Sequence, residues 1–494
     1  MNRFYVTTAI PYVNASPHLG HALELVQADV LARYRRQTGD QVRFLSGTDD
    51  NALKNVLAAE AAGVSVEQYV EARADEFESL RGPLALSLDD YIRTSTDVCH
   101  RGGVERLWEA CARSGDLYTR SYEGLYCVGC EQFYAAGELS GGTCPEHGTT
   151  VDKVAEHNWF FRLSRHEDAL LEAIGSGRLR IEPEVRRNEV VSFIQAGLED
   201  ISVSRPAERA RGWGIPVPGD QDQVVYIWYD ALGNYISALG YGMDSSDYRT
   251  WWLESDERVH VIGKGILRFH AVYWPAFLLS AGEPLPTAIF VHDYLTVGGA
   301  KISKSAGPTV SPADLVDVYG SDALRWWLAA EVPRVGDADF TEQRLVDRIN
   351  QDLVNGYGNL LSGIAALLVK YRGGRILDAS EGHPSAPVEE SVARALARFD
   401  LRTAALAVSA AIRDANAELQ QRRPWELARL EAQGDTGAGS EFDRVLGRLV
   451  TIVRGIAWLL APFTPQLAER ARTHLGGDRL TAAEPLFPRL IAPE

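Results

Sequence analysis

The sequence predicts an α/β fold: a parallel sheet interrupted by an insertion and followed by an all-α helical bundle. Three observations carry that expectation. Apolar strand-like runs alternate with amphipathic helical runs from Met1 to about Ser114. The stretch Tyr118–Gly148 breaks the alternation with short segments, glycines and clustered cysteines. After Phe340, strand formers give way to Ala- and Leu-rich helical periodicity. Strands alternating with helices fit a parallel sheet, and a helix-only tail must bury its apolar faces in a bundle of its own.

Each element follows from the local pattern. The apolar run Phe4–Thr8 reads as the first strand, leading into a helix over Leu19–Gln37, with Gly39-Asp40 as the turn that ends it. Strands resume at Val224–Trp228, Val259–Ile262 and Ala288–Val291, with helices expected at Ala231–Leu239 and Ile266–Leu279. A sheet split in this way brings distant segments to neighbouring strand ends, where open α/β sheets bind ligands. In the tail, helices are expected at Glu342–Val369, Pro387–Gln421, Trp425–Gln433 and Glu441–Leu460, with breaks at Gly373–Pro387, Pro424 and Gly434–Ser440.

Composition narrows the class. A chain of 494 residues exceeds one core, so roughly two to four domains are expected. The net charge of −17 argues against a protein that coats nucleic acid without specificity. It leaves room for a local basic face, for which Arg413, Arg422, Arg423, Arg429, Arg444, Arg448 and Arg454 are candidates; solvated helix faces balanced by nearby acids explain most of them. No apolar run is read as membrane-spanning, and the start leads into a strand rather than a signal segment, so a cytoplasmic protein with no membrane partner is expected.

Two motifs point to nucleotide chemistry. His18-Leu19-Gly20-His21 stands at a strand-to-helix junction, where imidazoles can donate to phosphate oxygens and the helix dipole favours negative charge. Lys301-Ile302-Ser303-Lys304-Ser305 lies in a Gly-flanked loop after a strand, and two lysines on such a loop can neutralise charge developing on a triphosphate. Either alone is weak; their order, separation and context describe an ATP site without a Walker loop. Cys127-Val128-Gly129-Cys130 with Cys144-Pro145-Glu146-His147 supplies three thiolates and one imidazole at knuckle spacing, the donor set of one structural Zn2+. Cys99 and Cys111 lie in ordinary helical sequence and read as small buried hydrophobes.

With these motifs the chain resembles the class I aminoacyl-tRNA synthetases, and among them the methionyl-tRNA synthetases. The likeness rests on Ala9-Ile10-Pro11-Tyr12, Tyr122–Glu131 around the first cysteine pair, Trp213–Pro218, Tyr226–Ala231, His260–Lys264 and Arg423-Pro424-Trp425. It implies a Rossmann-like parallel sheet split by a zinc-knuckle connective insertion, followed by an all-α helical bundle. The implied boundaries are 1–115 and 224–295 for the two halves of the catalytic domain, 116–223 for the insertion, 296–345 for the lysine loop and stem-contact region, and 346–494 for the anticodon-binding bundle. It implies methionine activation by ATP with Mg2+ and transfer to tRNA(Met); with the chain ending at Glu494, soon after the bundle, a monomer is expected.

By resemblance, His18, Gly20, His21, Lys301, Ser303 and Lys304 bind ATP, with both histidines and both lysines catalytic. Ile10, Tyr12, Asp49, Trp228, Ala231, Tyr235, Ile266 and His270 form the methionine site, Asp49 taking the substrate ammonium. A thioether offers dispersion and sulfur–aromatic contact, which suits such a slot. Asn359 and Trp425 correspond to anticodon-reading positions. The chain departs from the family pattern at Asp50-Asn51-Ala52, at Gly265 and Asp293 near the nucleotide, at Pro308, and at Gly363, where an arginine is expected. These departures motivate an alternative: a divergent paralogue activating methionine or a related amino acid for a non-tRNA acceptor. A non-catalytic relative is disfavoured by the intact His18, His21, Lys301 and Lys304.

Overall fold

The computed structural model describes residues 2–128, 132–134, 136–145, 148–301, 310–376, 386–477, 479–480 and 486–492. The chain forms two compact units, one of Met1–Ala28, Arg35–Arg81 and Ser87–Asp293, the other of Asp29–Tyr34, Gly82–Leu86 and Tyr294–Glu494.

The first unit is built on a six-stranded sheet, ordered Asp90–Arg93, Gln41–Thr48, Arg3–Thr8, Glu257–Gly263, Ala288–His292, Arg180–Glu182. Every pairing is parallel. Burial runs unbroken along Phe4–Thr8 and Ala288–His292, as in a sheet covered on both faces. From the central Arg3–Thr8 strand the chain steps outward through Gln41–Thr48 to Asp90–Arg93. It returns on the other side, first at the far edge as Arg180–Glu182 and later beside Arg3–Thr8 as Glu257–Gly263. The order therefore reverses between Arg3–Thr8 and Glu257–Gly263, and the loops beyond the carboxyl ends at such a reversal are where open α/β sheets bind ligands.

Two expectations are corrected here. Val224–Trp228 is not a strand of this sheet: Asp220–Val225 pairs antiparallel with Ser204–Pro206 and Pro216–Val217, and Trp228 lies on the helix Ile227–Ser237. A short apolar run buried on all sides carries no period that separates strand from helix. The sixth strand, Arg180–Glu182, comes from within the inserted region and was not anticipated; three residues give no pattern to read. The insertion also holds a second antiparallel sheet of Gln132–Tyr134, Leu117–Cys127, Asp152–Phe161 and Ile201–Ser202.

The second unit combines a small sheet (Leu295–Val297, Ala300–Lys301, Ala338–Phe340) with helices. The expected Pro387–Gln421 helix is two, Ala386–Ala397 and Leu401–Arg422, divided where Phe399 takes a left-handed φ of 54°. The last long helix starts earlier than expected, at Thr436, capped by the Asp435 side chain on Ala438 N, and Pro465–Leu475 adds one more. The helical run Glu342–Arg372 is long and apolar enough by composition to cross a membrane, which corrects the reading that no run is. Half of that window is buried in the structure, as in a core helix, where Tyr357 Oη donates to Val453 O at 3.1 Å.

Candidate active site

His18 and His21 stand at the start of the helix Leu19–Gln37, just past the carboxyl end of the central strand. Their rings stack with centroids 3.8 Å apart, and His21 meets the edge of Phe77 at 5.0 Å. Backbone N–H groups donate to both Nδ1 atoms, Gly20 N to His18 at 3.1 Å and His18 N to His21 at 3.0 Å. In each neutral imidazole the proton therefore sits on Nε2. A Cβ at Gly20 would lie 3.0 Å from His18 Cε1, so any larger residue there would press on the ring.

The residues expected to form the methionine site come together. Tyr12 and Asp49 form a backbone bridge, Asp49 N donating to Pro11 O at 2.9 Å. Tyr12 and Trp228 meet edge to face at 6.2 Å, Trp228 stacks on Phe269 at 3.7 Å, and its ring lies 6.3 Å from His270. Tyr235 Oη lies 2.7 Å from His270 Nε2, while His270 Nδ1 is 2.9 Å from Ile266 O. A carbonyl only accepts, so Nδ1 carries the proton and Nε2 accepts from the tyrosine. Ile10, Tyr12, Trp228 and Ile266 pack as half-buried walls against the same core that contains Ala231's neighbours Leu232 and Tyr235, and Ala231 itself is buried. Asp49 is buried in the loop that Asn55 Nδ2 ties down through Asp49 O and Asp50 O, each at 2.9 Å.

Burial sets the protonation of this slot. It pushes the His270 imidazole down to about 4 and holds His260 well below its ordinary value, with His270 and Arg258 as lesser causes. His260 accepts from Trp274 Nε1 at 3.2 Å and faces Thr7 Oγ1 at 2.8 Å, so it is neutral between apolar walls. Once unfolded, both rings titrate near pH 6.5, so below that value the unfolded chain binds more protons than the folded one and stability falls with pH. Each such histidine is expected to cost about 1.4 kcal/mol per pH unit through the window from about 6.5 down to its folded value. Urea unfolding midpoints at pH 7.5 and pH 5 check this, and His270→Gln should flatten the decline.

The family departures have places in this geometry. Asn51 Nδ2 donates to Asp230 Oδ2 at 2.9 Å; the other Asp230 oxygen lies 2.5 Å from His100 Nε2, whose Nδ1 is 2.8 Å from Ser237 Oγ. Ala52 is buried at the start of the helix Leu53–Ala62. Asp50 accepts from Ser95 Oγ at 2.8 Å, although burial still pushes its carboxyl up. Gly265 is exposed in the turn Lys264–Ile266. Asp293 is buried between Arg186 and Lys264. His292 joins the site through Glu24, three residues beyond His21: His292 Nε2 lies 3.1 Å from Glu24 Oε2, and Ala9 N donates to Glu24 Oε1 at 2.8 Å. Glu24, His100, Asp230, His260 and Arg186 were given no role from sequence. A histidine inside the apolar run Val259–Ile262 is the one signal that could have flagged any of them.

Other predicted residues lie elsewhere. The backbone of Lys301 pairs with Thr296 across the turn Gly298-Gly299, where both glycines have positive φ as a tight hairpin turn requires. Ser303, Lys304 and Pro308 lie outside the described residues, as do Cys130 and His147. Cys127 and Cys144 are buried in one small cluster with Tyr134. Of the remaining two cysteines, Cys111 is buried, whereas Cys99 is half-buried at the start of its helix. Asn359 is exposed at the head of Asn359–Arg372; Trp425 is half-buried in the first turn of Pro424–Ala432. A Cβ at Gly363 would meet Leu419 Cδ2 at an ordinary 3.7 Å, so packing does not demand the glycine.

Comparison with known proteins agrees with this arrangement. A family model described as tRNA synthetases class I (M) matches residues 4–155 and 147–365. The methionine–tRNA ligase of Brucella suis biovar 1 is 37% identical over 519 residues, covering 99% of this chain and 98% of that protein. That of Mycobacterium bovis is 38% identical over 524 residues, covering 100% and 99%. The structure of Mycobacterium tuberculosis methionyl-tRNA synthetase in complex with methionyl-adenylate superposes with a TM-score of 0.91 at 37% identity, over 99% of this chain and 100% of that one. With matches that run the length of the chain and a parallel sheet whose order reverses beside the two histidines, this chain belongs to the class I tRNA synthetase (M) family.

Proposed function

We propose that this chain is a methionine–tRNA ligase: it joins methionine to ATP as methionyl-adenylate, releasing diphosphate, and passes the methionyl group to tRNA(Met). Its full-length relatives bear that name, and the structure it matches holds methionyl-adenylate. The observation that carries the reading is the aromatic slot of Tyr12, Trp228, Tyr235 and His270, together with the stacked His18–His21 pair that follows the strand at which the order reverses.

The reaction asks for positioning and charge stabilisation rather than covalent help. The methionine carboxylate attacks the α-phosphorus in line. His18 and His21, protonated on Nε2, donate to phosphate oxygens; Lys301 and Lys304 are assigned to the side of the departing diphosphate, and Gly20 and Ser303 to ATP binding. Mg2+ accompanies ATP and neutralises its phosphates. Asp49 takes the ammonium of methionine, and Ile10, Tyr12, Trp228, Ala231, Tyr235, Ile266 and His270 enclose its side chain. The neutral His270 keeps a second positive charge away from that ammonium.

Cys127 and Cys144, buried together, fit one half of a structural Zn2+ site that Cys130 and His147 would complete. With three thiolates and an imidazole as ligands, zinc there would brace the insertion rather than take part in the reaction. We read residues 346–494 as the anticodon-binding domain, with Asn359 and Trp425 meeting tRNA, and the protein as a cytoplasmic monomer.

A second reading has one observation in its favour. Gly363 leaves room for a side chain, so the absence of the expected arginine is not a packing necessity. That suits a paralogue passing the adenylate to a non-tRNA acceptor. Methionine-dependent ATP–diphosphate exchange is expected from the purified protein under both readings. Charging of tRNA(Met) separates them: exchange without charging overturns the ligase assignment.

A further inference from the structure

Three adjacent strands of the parallel sheet, in the order Glu257–Gly263, Ala288–His292, Arg180–Glu182, end on the same edge. Each delivers one charged side chain just beyond its carboxyl end. Lys264 follows the first, Asp293 follows the second, and Arg186 lies in the first turn of the helix Glu184–Gln195 that follows the third. The carboxylate on the middle strand takes a cation from each neighbour: Asp293 pairs with Arg186 Nη2, and its Oδ1 lies 3.7 Å from Lys264 Nζ. Asp293 is only 3% exposed, against 18% for Arg186 and 25% for Lys264. The cations thus lie nearer the solvent than the anion that aligns them. The outer Arg186 nitrogen, Nη1, also meets the exposed Glu189 at 2.8 Å, a contact screened by water.

The cluster is wired to the nucleotide-binding end of the site. His292, next to Asp293, contacts Glu24 on the helix opened by His18 and His21, and Glu24 also accepts from Ala9 N beside Ile10. A buried carboxylate gripped by two cations is costly to keep, because desolvation offsets much of the attraction. Its position suggests that it is kept for orientation.

We propose that Asp293 is a positioning residue for ATP, holding Arg186 and Lys264 so that they meet the ribose-phosphate side of the nucleotide. The inference rests on the methionine-activating reading above and adds to it the residues that set nucleotide affinity. It also makes the inserted region, through Arg186, a direct contributor to ATP binding.

The test is steady-state methionine-dependent ATP–diphosphate exchange with the full chain. Asp293→Asn is expected to raise the KM for ATP about tenfold while the KM for methionine moves less than about twofold. Asp293→Glu, which keeps the charge, is expected to recover most of the loss. Arg186→Ala and Lys264→Ala, changes at half-buried side chains, should each raise the KM for ATP, and each should add little in an Asp293→Asn background because the three act as a unit. An ATP KM unchanged in Arg186→Ala and Lys264→Ala overturns the proposal, even if Asp293→Asn fails to fold. So does an equal rise in both KM values in Asp293→Asn, the mark of a merely structural carboxylate. A wild-type protein without exchange instead sinks the methionine-activating reading.

Discussion

Replacing His21 with alanine is expected to cut kcat for methionyl-adenylate formation about 10²–10³-fold, the usual cost of removing one preorganised donor to developing charge. The KM for methionine should stay within about twofold, since methionine binding and transition-state stabilisation are separate interactions. The size follows from how the ring is held. His21 Nδ1 accepts the His18 N–H, its face stacks on His18, and Phe77 meets its edge, so the Nε2–H direction is set before substrate arrives. Alanine removes the donor and also leaves His18 N without this acceptor. Asparagine can replace both functions in part, one amide atom accepting from His18 N and the other donating forward, so His21→Asn should recover about tenfold of the loss. Gly20→Ala tests the same positioning without touching a donor. Its Cβ would press on the His18 ring at 3.0 Å, and about a tenfold loss of kcat is expected. Single-turnover adenylate formation measures all three; unchanged rates in His21→Ala would remove the histidine from the chemistry.

Legibility in the sequence tracked the range over which each feature is determined. The helix Leu19–Gln37 was readable at both ends, because its periodicity is local and Gly39, at a φ of 96°, ends it by a local rule. Ile227–Ser237 was misread at its start, because ten of its residues are buried and no polar face marks a period. The slot residues Tyr12, Trp228 and His270 were legible only through family resemblance; as isolated aromatics they look like core. The proton positions on His18, His21 and His270 were not legible at all, since each depends on which backbone group the ring meets. The grouping of Arg186, Lys264 and Asp293 was hidden for a different reason. It follows from strand order, and the strand that brings in Arg186 is three residues long.

Arg325→Met is expected to destabilise the second unit by about 3–5 kcal/mol, the range for breaking a buried ion pair from one side. Arg325 lies on Ser321–Ala330, a helix in which every residue is buried, and its own side chain is 0% exposed. The guanidinium spends its donors on four partners: Asp29 Oδ2 at 2.7 Å, Leu84 O at 2.9 Å, Pro462 O at 2.8 Å and Phe463 O at 2.9 Å. Three segments far apart in sequence are thereby fixed to one side chain. Burial pushes its pKa down and the Asp29 carboxylate opposes that, so the charge survives because the pair is complete. Methionine would fill the volume yet leave three carbonyls without this donor and Asp29, itself 0% exposed, with Arg33 at 2.7 Å as its remaining cation in this set. Lysine keeps a charge but not the planar fork, so Arg325→Lys should still destabilise, though by less than Arg325→Met. Removing the buried carboxylate as well should help: Asp29→Leu with Arg325→Met is expected to be more stable than Arg325→Met alone. Because a chain of two units need not unfold in one step, the comparison is made on the midpoint of the transition that Arg325→Met shifts. If the double variant unfolds no later than the single, Asp29 is not the source of the cost, and the lost carbonyl contacts carry it instead.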